Sequence, residues 1–340
     1  MRAVELSDYG PVDNLHLIDA AEPHAGPGEL RIKVAYAGLR WGDIMQRNGR
    51  PAKDVAAPFI AGQEVTGHID QIGVGVHGFT IGEPVFATVR SGGFAEYVTV
   101  PAVGSMIMPL PSTVPLDRAL AYPLNMITAY LAVHVWGQIS EGQTVLLHAA
   151  AGGLGQLIIQ IIKKDFTKVR LIGLCSSSAK ADLITRLGCD YAINRTTDDY
   201  VAAINRICGP KATGFTTGGE QGGGVDVCLN GVSGDTLSKD QQVIRKRGRW
   251  VIFGYAGDVK PTPIDTEPIT YDGITIVPAS QIAWWGTTQF DAATAYTRHW
   301  LEHEPLIETQ HWPLDQVAEA QRALEAGRTA GKVVFDVHAP

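Results

Sequence analysis

The 340-residue sequence has no run of lysines and arginines, and its net charge is −7. Nucleic acid and anionic membrane surfaces are therefore not expected as main partners. No stretch reaches the roughly 20 apolar residues that span a bilayer, and the opening segment "MRAVELSDYG" has no apolar signal-peptide core. Cysteine is scarce. Cys175, Cys189, Cys208 and Cys228 are the four present, none in a CxxC pair, which argues against a disulfide framework or a cysteine-rich zinc site. Reduced thiols in a cytoplasmic protein are the expectation. Charged residues make up 19% against 45% apolar, a balance that suits a soluble globular chain of one large or two ordinary domains.

What is present changes texture near residue 120. Before it, short β-type runs at 29–38, 63–73, 83–89 and 94–101 are cut by Gly and Pro, as in a barrel-like β domain. Residues 116–135 carry helical spacing of apolar positions. Strands at 143–149, 169–175, 191–194, 224–232, 249–254 and 273–279 follow, with helices at 155–165 and 179–188, the second closed by Gly188 as a C-terminal cap. That alternation predicts an α/β fold with a doubly wound parallel sheet. The Gly/Thr-rich residues 209–224 read as a flexible surface loop. The tail, 316–337, reads as a helix and then a strand that returns to the first domain.

The junction inside "VLLHAAAGGLGQLIIQIIKK" (145–164) has few side chains. It follows a strand and opens a helix, the context a GxGxxG dinucleotide fingerprint requires. Ala150, Gly152 and Gly155 take the three marked positions. The second lets backbone approach a pyrophosphate, and the third lets helix and strand pack closely. The N–H groups along Ala151, Gly152, Gly153, Leu154 and Gly155 would face the phosphates at the positive end of the helix. A tight turn without a ligand is the plainer alternative.

The end of the next strand reports on the kind of cofactor. NAD sites place Asp or Glu there for the ribose hydroxyls. Here "GLCSSSAK" offers Ser176 and Lys180, with no carboxylate before Asp182, and Arg195 follows the third strand. Hydroxyls and cations suit a 2′-phosphate, hence NADP(H) over NAD. Ordinary solvated charges are the alternative for Lys180 and Arg195.

Segments 26–49, 58–87, 124–133, 148–155 and 330–337 together resemble the zinc-independent quinone oxidoreductase (zeta-crystallin-like) branch of the medium-chain dehydrogenase/reductase superfamily. The resemblance covers nearly the whole chain. It implies a GroES-like β-barrel domain from residues 1–120 together with 280–340, and a Rossmann NADP-binding domain from 121–279. A substrate cleft would lie where they meet, and a homodimer would form through edge strands, here 273–280. The zinc-dependent relatives ligate their metal with a Cys and a His at positions that match Arg40 and Gln63, so no metal is expected. His299 and His303, four apart, read as a surface helix pair rather than metal ligands, and His148 as a hydrogen-bonded strand-end residue rather than a base.

The implied activity is NADPH-dependent hydride delivery to a quinone or to the activated C=C of an α,β-unsaturated carbonyl compound. Such acceptors are already electrophilic and need no Lewis acid. A tailoring enoyl reductase of a biosynthetic pathway and a non-catalytic NADP-binding protein stay open as readings. By family position, Asn125, Thr128, Asn230, Phe253 and Tyr255 would line the cofactor. Arg40 and Tyr255 are the candidate catalytic residues, the first to steady an oxyanion and the second to donate a hydrogen bond or proton. Two departures stand out. Arg40 replaces a frequent Asn, and Pro51 stands at or beside a frequent Tyr. Trp284 and Trp285 would line the cleft or the dimer seam.

Overall fold

The computed structural model describes residues 1–50, 53–212, 222–257 and 263–339. The chain forms two units, one from Met1–Leu124 with Thr297–Pro340 and one from Asn125–Tyr296. The expected Tyr-replacing Pro51 and most of the 209–224 loop lie outside the described residues.

The first unit holds β1 (Arg2–Leu6), β2 (Leu15–Asp19), β3 (Glu29–Leu39), α1 (Trp41–Arg47), β4 (Phe59–Ile60), β5 (Glu64–Ile72), β6 (Pro84–Thr88), β7 (Tyr97–Pro101), β8 (Ile107–Pro109) and α2 (Leu116–Ala119). Leu30, Ile32 and Val34 of β3 pack with Val65 and Ile69 of β5 in its core. Alternating burial along paired strands is what fixes such a register.

The second unit is the alternating half. The helix expected over 116–135 is broken: α2 stops before Leu120, and α3 (Pro123–Tyr130) starts afresh. Pro123 explains the break. It has no N–H to give the preceding turn, and it pushes Tyr122 away from helical backbone angles. Then come β9 (Thr144–Leu147), α4 (Gly153–Asp165), β10 (Arg170–Cys175), α5 (Ser178–Leu187), β11 (Tyr191–Asn194), α6 (Tyr200–Cys208), β12 (Val225–Asn230), α7 (Thr236–Val243), β13 (Ile244–Ile252), α8 (Thr266–Asp272), β14 (Thr275–Pro278) and α9 (Thr288–His303). The six strands lie parallel in the order β11-β10-β9-β12-β13-β14. β9 and β12 are buried along their whole length, as central strands covered on both faces must be. Gly188 ends α5 with φ +116, the left-handed cap expected of it.

The chain then returns to the first unit through β15 (Thr309–Pro313), α10 (Val317–Glu325) and β16 (Lys332–Asp336). β16 pairs antiparallel with β3 and parallel with β15, giving a sheet ordered β15-β16-β3-β5-β6-β8 with β7 also on β3. Among the described residues no helix is long and apolar enough to cross a membrane.

Candidate functional site

In the second unit the chain runs outward from β9 to β10 and β11, then jumps back to β12 on the other side of β9. This reversal makes the carboxyl ends of β9 and β12 the switch point, where open α/β sheets hold ligands. The glycine junction leaves β9 there. Ala149 adopts φ +48, and its carbonyl accepts from the Gly152 N–H at 2.9 Å. Gly152 caps α4 with extended backbone and no side-chain hydrogen bond. The first N–H groups of α4, on Gly153, Leu154 and Gly155, therefore have no carbonyl within the helix. A Cβ on Gly155 would stand 2.5 Å from the Ala149 oxygen and 2.7 Å from the Ala150 oxygen. Only glycine lets the helix start this close to the strand end. Ala151 is buried, and its carbonyl accepts from Gln156 Nε2 at 3.0 Å.

The end of β10 gathers the next group. Lys180 Nζ lies 3.3 Å from Ser176 Oγ. Ser177 caps α5 by accepting from the Lys180 N–H. The Arg195 N–H donates to the Cys175 carbonyl at 3.0 Å, so Arg195 leaves β11 at the same corner. Burial pushes the Lys180 ammonium below its usual range, and the nearby Arg195 charge adds to that. Arg195 is near enough for its charge to be felt at Lys180, a repulsion that an anion at this corner would relieve.

Asn230, the last residue of β12, is wholly buried. Its Nδ2 donates to Thr236 Oγ1 at 2.8 Å and to Asp240 Oδ2 at 2.6 Å. Its Oδ1 accepts from the Val232 and Ser233 N–H groups at 2.7 and 2.8 Å. The Asn230 amide thus shapes the loop that follows β12. Its carbonyl accepts from the Phe253 N–H, whose ring sits against Gly231 and 6.4 Å from Trp136. Tyr255, two residues on, is 39% exposed, with no hydrogen-bond partner among the described residues. Asn125 and Thr128 lie on α3, and Thr128 Oγ1 bonds to Gln281 Oε1. Trp285 packs 5.0 Å from Phe290.

Asp240 is a functional-site neighbour that sequence reasoning missed. It is fully buried on α7. Oδ1 accepts from His148 Nε2 and from the Tyr200 hydroxyl, each at 2.9 Å. Oδ2 accepts from Asn230 and, at 3.5 Å, from the Cys228 thiol. Burial pushes the Tyr200 hydroxyl and the Cys228 thiol up, and the Asp240 charge pushes both further. His148, Cys228 and Asp240 bring ligand-type atoms within 4.8 Å of one another. Each carboxylate oxygen, however, already takes two donors. Leu237, Asp240 and Val243 recur every third residue and are all buried on one face of α7, but that spacing alone does not tell a buried carboxylate from a solvated one.

In the first unit, Arg40 caps α1. Its Nη2 donates to Gln63 Oε1 at 2.6 Å, and its N–H donates to Asp43 Oδ2 at 2.7 Å. Gly42 leaves the space: a Cβ there would stand 2.9 Å from Arg40 Nη2. Arg40 Nε and Asp43 Oδ1 are buried without a hydrogen-bond partner among the described residues. Burial pushes the Asp43 carboxyl up to about 6, against the pull of Arg40. A guanidinium held by an amide offers a zinc ion no ligand at these two positions. Lys332 and Glu64 form a buried ion pair nearby in sequence register, with Lys332 Nζ also bonded to the Leu39 carbonyl at 3.1 Å. His303 Nδ1 bonds to the His299 carbonyl at 2.9 Å, so one ring nitrogen of that pair is engaged by its own helix.

The Alcohol dehydrogenase GroES-like domain family matches residues 26–112, and the Zinc-binding dehydrogenase family matches 153–295. A probable quinone oxidoreductase of Leishmania amazonensis is 29% identical over 335 residues, covering 94% of this chain and 93% of that protein. The human synaptic vesicle membrane protein VAT-1 homolog-like protein is 30% identical over 257 residues, covering 75% of this chain. The chain spans only 56% of that relative's length. Among solved structures, mycobacterial Rv1454c complexed with NADPH superposes with a TM-score of 0.85 at 25% identity, covering 98% of this chain and 99% of that one. With both domain families matched in order over the two halves, the chain belongs to the medium-chain dehydrogenase/reductase superfamily.

Proposed function

We propose that this chain is an NADPH-dependent oxidoreductase that reduces a quinone or the activated C=C of an α,β-unsaturated carbonyl compound without zinc. One observation carries the reading: Ser176, Lys180 and Arg195 converge where β10 ends, next to an uncapped helix start that only glycine permits. The helix start would take the pyrophosphate, and the two cations the 2′-phosphate. The NADPH in the mycobacterial structure and the name of the Leishmania relative support the same assignment.

NADPH, when bound, supplies a hydride. Its arrival on the acceptor carbon leaves two electrons on the acceptor and negative charge on its oxygen, which a proton from solvent then quenches. Arg40 is suited to hold that charge until the proton arrives. Its guanidinium is fixed by Gln63, and Nε has a donor to offer. Tyr255, exposed just beyond the end of β13, is the second candidate, as a donor of a hydrogen bond or proton.

The test is consumption of NADPH, with NADH alongside, against a panel of ortho- and para-quinones and enones. NADPH-selective turnover is the expected result, and the better acceptor class assigns quinone or enone chemistry. Lys180→Ala with Arg195→Ala should weaken NADPH by tenfold or more, at about 1.4 kcal/mol per tenfold, and leave NADH nearly unchanged. Equal loss of both cofactors would remove the 2′-phosphate assignment. NADPH binding with no turnover on any acceptor would favour a non-catalytic NADP-binding protein.

A further inference from the structure

The switch point has two sides, and one side chain is bonded to both. His148 directly follows β9, and Asn230 ends β12. The backbone pairs β9 and β12 along Val145–Leu147 and Val227–Leu229, and the His148 N–H extends that ladder to the Leu229 carbonyl at 3.0 Å. Asp240 joins them again from α7, accepting from His148 Nε2 and Asn230 Nδ2. Beyond His148 the chain enters the glycine turn. Beyond Asn230 it enters residues 231–234, where Asn230 Oδ1 gathers the Val232 and Ser233 N–H groups. Ser233 takes φ +58, and its Oγ donates to the Gly254 carbonyl at 2.5 Å, which carries the same order across to the end of β13.

A carboxylate is an expensive way to fill this space. Buried with no exposure, it gives up its hydration, and an apolar side chain would fill the volume at lower cost. What the carboxylate adds is direction, because four donors from β12, the end of β9 and α6 converge on two oxygens. We propose that Asp240 is a positioning residue. It locks the carboxyl ends of β9 and β12 together, so that the phosphate turn and the 231–234 loop meet the cofactor as one preformed surface. This rests on the NADP(H) reading above. It adds that the two loops do not order independently, so the affinity for NADPH depends on a residue that does not touch it.

The experiment compares Asp240→Ala with Tyr200→Phe. Both remove contacts of the same buried network, but Tyr200 sits on α6 and ties down no strand end. NADPH dissociation constants are read by fluorescence titration and apo melting temperatures beside them. Expected for Asp240→Ala is a Kd raised by about tenfold or more, with the KM of the acceptor unchanged. Tyr200→Phe should lower the melting temperature and keep Kd within about twofold. Kd rising in both variants in step with lost stability would reduce Asp240 to a core residue and overturn the proposal. So would an unchanged Kd in Asp240→Ala. Wild-type protein that binds no NADPH would overturn the cofactor reading and this inference together, which keeps the two failures distinct.

Should Asp240→Ala not fold, hydrogen exchange on the wild type decides. NADPH should slow exchange at Val232 and Ser233 together with the glycine-turn amides. Protection of the turn alone would overturn the coupling.

Discussion

The glycine turn of the second unit and the Arg40 corner of the first are built in opposite ways. The turn works by leaving side chains out. Backbone N–H groups are exposed because nothing caps them, and Gly155 sits where any Cβ would strike two carbonyls. The corner works by forcing charged side chains in. Arg40, Glu64 and Lys332 all shift the balance of charge around the buried Asp43 carboxyl. A site made of backbone is rigid and indifferent to pH. A site made of buried charges is tunable and carries a pH-dependent cost.

Three measurements would break or sharpen that contrast. The largest effect belongs to Gly155→Val. The added atoms have only carbonyl oxygens of the same turn to push against, so stability should fall by about 3 kcal/mol and NADPH binding should vanish. Near-normal melting and binding would show that the turn can open, contrary to its tight packing.

Next comes Arg40→Ala. Loss of an oxyanion donor should lower kcat by about one to three decades while the NADPH Kd stays put, since the phosphate corner lies on other elements. An unchanged kcat would take Arg40 out of the chemistry and leave it as a cap for α1.

The smallest effect is the pH dependence of Asp43. Its carboxyl titrates near 6 in the folded chain against 3.8 for the free group. The folded state therefore binds this proton more tightly than the unfolded state does. Stability falls as pH rises from about 4 to 6, and it recovers on acidification. Relative to Asp43→Asn, which has no proton to exchange, the wild type should gain about 1 kcal/mol between pH 7 and pH 5. A difference that stays flat over that window would mean Asp43 is better solvated or better paired than its burial implies.

The same contrast explains what could be read from the sequence. The alternation of strands and helices was legible because the central strands are largely apolar and the turn after β9 is marked by glycine. The glycine junction was legible because an absence of side chains is visible in letters. Pro123 was visible too, yet the apolar spacing around it outweighed it and hid the break between α2 and α3. α7 went unread because polar residues dominate it, with only Leu237, Asp240 and Val243 buried, and α6 is a short run of nine residues. Asp240 was out of reach for a deeper reason. A buried carboxylate looks like a solvated one until the fold shows four donors around it. His148 was readable as a hydrogen-bonded strand-end residue, but its partner lies 92 residues away, beyond any local pattern.

The return of the chain to β3 has a consequence for how the protein is made. The second unit is one continuous stretch, Asn125–Tyr296, and can complete its sheet as soon as β14 and α9 have been synthesised. The first unit cannot. β3 waits for β16, and Glu64, 1% exposed in the finished molecule, waits for Lys332, 268 residues downstream. The part of the chain that is translated first is therefore the part that finishes folding last. Until β16 has been synthesised, part of β3 stands without its partner strand and Glu64 without its counter-charge at the heart of the first sheet.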